Sequence, residues 1–405
     1  MIEPNQQPKE EGNFPMPDFT DTGGAFGYLT DKALKQRYSL FRKMNSPFLS
    51  RIGPPLIKLA FRAGLPIKGI VRRTVFDVFC GGEFLEDTIA RSELLNDGGV
   101  KTILDYSVEG ENSDEGFDGT MDEIIASMVH GWQHAAVGYS AMKVTGIADF
   151  GILEKKQSGK SLTAEESASL ERSHDRMDKI CRKAVEMRHP IFVDAEESWI
   201  QDVIDIWSEE MMEQYNRTKP VIYTTVQMYR HDRLTYLGHL IAKARSEKFF
   251  PGIKVVRGAY LEKERKRAAA MELADPIQAD KDATDRDFDE AIRQCLDNID
   301  ILALCCGSHN EKSNLLLCEM MKERGIRPGH PHVMSAQLLG MSDHISFNLA
   351  RQGYQAAKYL PYGPVEAVLP YLFRRAAENS SVKGQSGREL ELLRKEVRRR
   401  REISR

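Results

Sequence analysis

The chain has 405 residues, 41% of them hydrophobic and 29% charged, with a net charge of -3. That balance lacks the basic excess of a nucleic-acid binder, so no nucleic acid is expected as a partner, and no run approaches the roughly 18 apolar residues that cross a bilayer. Six cysteines, at 80, 181, 295, 305, 306 and 318, form no CxxC pair, which fits reduced thiols better than a disulfide framework.

Residues 1–18 are polar and Pro-rich and read as a disordered N-terminus. This start resembles neither a secretory signal nor an Arg-rich presequence, so the expected location is the cytoplasm. Residues 19–99 read as a helical arm. Thr30-Asp31 is a predicted N-cap, and Leu34, Tyr38 and Phe41 follow on one helix face. Ser46-Pro47 and Gly53-Pro54-Pro55 break the arm; a second helix is expected from Leu56 and a third after Gly81-Gly82.

After Gly99 apolar, β-rich runs alternate with charged amphipathic stretches. Strands are expected at Thr102–Glu109, Ala136–Thr145, Pro190–Ala195, Val221–Tyr229, Gly252–Ala259, Ile301–Gly307, His332–Ala336 and Tyr354–Leu360. Helices are expected at 119–133, 164–188, 199–216, 233–247, 283–298, 310–324, 342–351 and 364–379. Eight βα units with near-continuous apolar strands point to an α/β fold with parallel pairing buried on both faces. A (βα)8 barrel over residues 100–385 is the simplest arrangement, and an open doubly wound sheet is the alternative. Cys305-Cys306 falls in an apolar run and reads as two small buried hydrophobes. Residues 386–405 form a basic tail with four consecutive arginines. It reads as an amphipathic helix, either solvated or laid on an anionic membrane surface.

Barrels carry their chemistry at the C-terminal strand ends. Lys143, Asp194, Gln227, Lys254 with Arg257, His309 and Tyr359 stand there. Lys143 lies inside an expected strand and needs an anion; Asp194 is the candidate, in a functional or a merely structural pair. Arg257 offers a planar fork suited to phosphate, and Gly258 lets a ligand approach the backbone, although no GxGxxG fingerprint is present. Ser308 is either a plain helix cap or, with His309, part of an anion site at a helix N-terminus. Tyr371, Arg374, Arg375 and Glu378 share one face, as a carboxylate clamp or a surface ion-pair cluster. His330 and His332 lack the further ligands a metal site requires, so no metal is expected.

The motifs KVTGIA, FVDAEES, TVQMYRHD, VVRGAYL, SHN and YLPYGPV…YLFRRAAENSS resemble, in order, the proline dehydrogenase family, and the likeness runs from about Leu104 to Ser381. QLLGMSDHISF resembles the stand-alone, eukaryotic-like branch. The resemblance implies a distorted (βα)8 barrel preceded by a helical arm. It also implies FAD-dependent oxidation of L-proline to Δ1-pyrroline-5-carboxylate, with hydride passing from proline C5 to flavin N5. Lys143, Tyr359, Tyr371, Arg374 and Arg375 would then bind substrate. Ala195, Gln227, Arg257, Gly258, Ala259, Thr284, Ser308 and His309 would hold FAD, and Asp194 and Lys254 would stand at the reacting centre. Lys254 replaces an arginine found in many bacterial members. Hydroxyproline users tend to carry a small residue in place of Tyr359, so tyrosine there favours proline. A quinone acceptor and a peripheral membrane surface are the partners the resemblance implies.

Overall fold

The computed structural model describes residues 14–44, 67–108, 112–381 and 385–403. The expected breaks at Ser46 and Gly53, the helix from Leu56 and most of the N-terminal stretch lie outside these residues.

Eight strands form: β1 Val100–Tyr106, β2 Val137–Met142, β3 Ile191–Val193, β4 Ile222–Gln227, β5 Gly252–Val256, β6 Ala303–Gly307, β7 Val333–Leu338 and β8 Ala356–Tyr362. They close in sequence order, and every neighbouring pair is parallel. β1 pairs with β8 from Val100 opposite Ala356 to Tyr106 opposite Tyr362, which excludes the open sheet. Every residue of β4 and β8 is buried, as expected of strands covered inside and out. The barrel is irregular: the β1–β2 register shifts between Thr102 and Ile103, and β3 is only three residues long.

Ile103, Ala141, Phe192, Tyr223, Cys305, Met334, Ala357 and Tyr359 fill the barrel interior. Both Cys305 and Cys306 are fully buried, as their apolar run suggests. Five strands, β1 to β5, stop short of their expected ends. β3 stops before Asp194 and β5 before Arg257, so these charged residues fall in the loops at the barrel mouth, and the buried Met228 follows the end of β4. Two helices, Phe150–Gln157 and Leu261–Ala270, lie in stretches where the sequence pattern predicts none.

The arm forms helices Thr22–Phe26, Asp31–Met44, Lys68–Val71, Asp77–Phe79 and Thr88–Asn96, with a π-turn at Arg72–Phe76. It joins the mouth directly: Gly81 N donates to Pro361 O at 2.7 Å, and Gly363 N donates to Gly82 O at 3.1 Å. Phe26, Leu34, Phe41 and Phe79 pack with Val368 and Leu372 of the helix Val365–Ser381 and with Leu392 and Leu393 of the helix Gln385–Ile403. The predicted face of Leu34, Tyr38 and Phe41 is only partly right. Arg37 is buried on that face in preference to Tyr38, because it binds Asp343 and the Tyr28 hydroxyl.

The tail helix is built into this layer. Arg399 and Arg400 pair with the buried Glu396, and Arg400 also reaches Asp31 and the carbonyls of Phe26 and Leu29. Arg394, Arg398 and Arg401 face outward. Among the described residues no helix is long and apolar enough to cross a membrane.

Candidate active site at the barrel mouth

Lys254 on β5 is 4% exposed, inside the barrel. Its ammonium donates to Asp194 and meets the Tyr359 hydroxyl, which itself donates to Asp194 at 3.0 Å. The rings of Tyr359 and Phe192 lie 4.5 and 5.4 Å from the ammonium, a distance at which a ring face attracts a cation. Burial, and then the Asp194 charge, push the Tyr359 phenol well above its usual range. The expected partner of Asp194 was Lys143. The structure gives it Lys254 instead, because β2 ends at Met142 and Lys143 leaves the wall at the head of a 3-10 turn. The Lys143 charge acts on Asp105, Glu196 and Tyr260.

Those three residues were missed by the sequence reading. Asp105, one residue before the end of β1, is buried and accepts from Ser107 Oγ at 2.6 Å. Burial and then the nearby Asp194 charge raise its carboxyl above the ordinary range. Glu196 is 3% exposed and accepts from the backbone and hydroxyl of Thr145. Burial pushes its carboxyl up to about 7, against the opposing pull of Lys143 and Thr145. A carboxylate inside the apolar run TILDYSV, and a second acid two residues past Asp194, were the available signals.

Arg257 and the pair Ser308 and His309, from the loops after β5 and β6, come together with Thr284 from the first turn of the helix Lys281–Asp297. Arg257 donates to Asp285 at 2.6 Å, to Ser308 Oγ at 3.0 Å and to Ser313 Oγ at 2.9 Å, and it lies over the Phe288 ring. Thr284, next to Asp285, is buried in the first turn of Lys281–Asp297, its hydroxyl directed to Asp280 O. Ser308 is not the helix cap; Asn310 caps Glu311–Glu323, and Ser308 Oγ accepts from Asn310 N instead. His309 Nδ1 lies 3.0 Å from Ser342 Oγ. Gln227 is buried and donates to Glu196 O at 2.7 Å. Ala195 is half-buried, whereas Gly258 and Ala259 are exposed. Gly258 has φ +128°, and a Cβ there would fall 2.4 Å from the Tyr229 ring. Only glycine therefore fits at this exposed backbone position.

On the helix Val365–Ser381, Arg374 is half-buried, and its charge reaches the same Tyr260 hydroxyl as that of Lys143. Tyr371 is buried in the apolar cluster shared with the arm. The side chains of Arg375 and Glu378 lie outside the described residues. A separate cleft of about 210 Å3 is lined by Asp114, Phe117, Asp149, Glu166 and Arg172, and charges of its lining are held in the pairs Arg172–Asp114 and Lys155–Glu166 outside the cluster at the barrel mouth.

A family profile described as proline dehydrogenase matches residues 88–388. The chain is similar to "Proline dehydrogenase 1, mitochondrial" of Dictyostelium discoideum, 32% identical over 399 residues, covering 87% of this chain and 70% of that one. It is also similar to "Hydroxyproline dehydrogenase" of Xenopus laevis, 41% identical over 254 residues, covering 62% and 54%. Among solved structures, proline utilization A from Bdellovibrio bacteriovorus superposes with a TM-score of 0.71 at 18% identity, over 93% of this chain and 40% of that one. That likeness concerns the fold, and the chain spans under half of that protein.

Proposed function

The chain belongs to the proline dehydrogenase family, and from that premise we propose that it oxidises L-proline to Δ1-pyrroline-5-carboxylate with bound FAD. The donor set fits that cofactor. A guanidinium, the Ser308 hydroxyl, Thr284 in a helix first turn and the N-terminus of Glu311–Glu323 are groups that suit a pyrophosphate. Three N–H groups of Arg257 serve Asp285, Ser308 and Ser313, out of the five a guanidinium carries. Gln227, Ala195, Gly258, Ala259 and His309 complete the residues that would hold the cofactor. When bound, the flavin supplies the hydride acceptor.

The rest is the work of the chain's own residues. Arg374, with Arg375 beside it in sequence, takes the substrate carboxylate through planar, two-pronged bonds. Lys143 adds a second cation to that end, supported by its reach to Tyr260. Tyr359 fixes the plane of the substrate ring, with Tyr371 as a further wall. Lys254, fixed by Asp194 and two rings, holds a positive charge that favours charge moving toward the acceptor. Proline must lose its ammonium proton, so turnover rises with pH.

The observation that carries the choice of proline over hydroxyproline is Tyr359 itself: 8% exposed and bound to both Asp194 and Lys254, it has no freedom to make room for an added hydroxyl. The test is the visible spectrum of purified protein without oxygen. L-Proline bleaches the flavin bands and trans-4-hydroxy-L-proline does so far more slowly; the reverse order overturns the reading. A quinone acceptor and a peripheral membrane site belong to the same reading, supported by the outward Arg394, Arg398 and Arg401. Liposome sedimentation of the wild type against the triple Arg→Glu variant tests the surface, and equal binding removes it.

A further inference from the structure

The tail helix meets the mouth through two consecutive residues. Arg388 Nε donates to Glu311 at 2.9 Å, and Glu311 opens the helix that follows His309. Glu389 Oε2 accepts from Ser342 N at 3.0 Å, and Ser342 Oγ is the partner of His309 Nδ1. His309 is thus bracketed on both sides by one turn of the C-terminal helix.

The geometry also sets the imidazole. Leu338 N donates to His309 Nε2 at 3.4 Å, so that nitrogen is an acceptor. In the neutral ring the proton then sits on Nδ1 and is donated to Ser342 Oγ. Ser342 holds φ +53°, a left-handed conformation that is strained for any residue but glycine. A buried carboxylate on its N–H is a contact strong enough to hold it there; Glu389 is 4% exposed. Burial raises the Glu389 carboxyl above its usual range, with the His344 imidazole, 3.8 Å away, opposing.

We infer that Glu389 is a positioning residue for the cofactor-facing loop, acting through Ser342 to fix the ring and tautomer of His309, so that the C-terminal helix is part of the active-site assembly. The value of that positioning rests on the reading that His309 faces FAD.

The test uses the full chain as apoprotein, labelled with 15N-histidine, with the His309 signals assigned by their loss in His309→Asn. The wild type shows a protonated Nδ1 and an unprotonated Nε2. Glu389→Ala moves both signals toward the average of the two tautomers and raises the Kd for FAD about tenfold, the loss of one hydrogen bond to a charged group. Glu389→Gln, which keeps an acceptor oxygen, restores most of both. Ser342→Ala removes the hydroxyl directly and gives the same histidine shift even where Glu389→Ala fails to fold. Unmoved His309 signals in the folded variants overturn the inference. A wild-type chain that takes up no FAD sinks the cofactor reading alone, because the tautomer is read without it.

Discussion

Two buried clusters in this molecule share a lysine, a tyrosine and an aspartate and lie on opposite sides of one strand, the second adding an arginine. In the barrel throat, Lys254 and Tyr359 hold Asp194. Outside the wall, Lys358 lies 2.9 Å from Asp343, which Arg37 and the Tyr28 hydroxyl also bind. Lys358 and Tyr359 are neighbours on β8, and strand alternation sends one to each cluster. The difference is access. The side chain of Asp194 is 19% exposed and that of Asp343 is 1%. The open cluster can meet a ligand, while the sealed one can only fix the arm to the barrel. The same chemistry is thus reachable from outside in one place and sealed into the architecture in the other.

The sharpest way to break this comparison is to remove each carboxylate. Asp343→Ala leaves Arg37 and Lys358 as buried cations without it and should cost about 3–5 kcal/mol in urea unfolding. Asp194→Ala should cost less than half as much, because water can reach Lys254 from the mouth. Equal losses would mean that access does not separate the two sites.

The next effect is on pH. Glu196, two residues past Asp194, is itself buried, and burial raises its carboxyl to about 7 from 4.5. The folded state therefore binds this proton more tightly than the unfolded chain. Its contribution to stability is full below pH 4.5 and is lost as pH rises through 7, amounting to about 3 kcal/mol. Glu196→Gln should flatten that part of the profile; the same change between pH 5 and pH 8 in both proteins would remove Glu196 as its source.

Two kinetic changes sharpen the open site further. Arg374→Met should raise KM for L-proline about a hundredfold, or ~2.7 kcal/mol, with a smaller effect on kcat. An unaltered KM would place this guanidinium among the structural cations instead. Tyr359→Ser should shift the kcat/KM ratio of hydroxyproline to proline by about tenfold in favour of hydroxyproline, ~1.4 kcal/mol. A constant ratio would show that the phenol does not police ring substituents.

The eight strands were legible because apolar runs alternate with amphipathic stretches, and that rhythm survives any detail of packing. Their ends were less legible. FVDA, VQMY and VVRGA keep strand-like composition past the point where the ladder stops, and the residues beyond it form the mouth. The motif residues Arg257, Thr284, Ser308 and His309 were named from the sequence, and the fold brings them into two loops and one adjoining helix turn. The partner of Asp194 was not legible, since Lys254 reaches it across two strand positions and local spacing favoured Lys143. Arg37 was hidden for a related reason: a helix face read by hydrophobicity has no place for a cation whose counter-charge is 306 residues away.

The alternation along β8 bears on how far the protein could be trimmed. A barrel cut out between Val100 and Tyr362 would keep Lys358 but lose Tyr28, Arg37 and Glu389 from the surroundings of Asp343. It would also bare the outer faces of Val368 and Leu372, were their helix retained. A trimmed version would thus have to keep both flanking helical segments or carry a redesigned, uncharged β8 exterior.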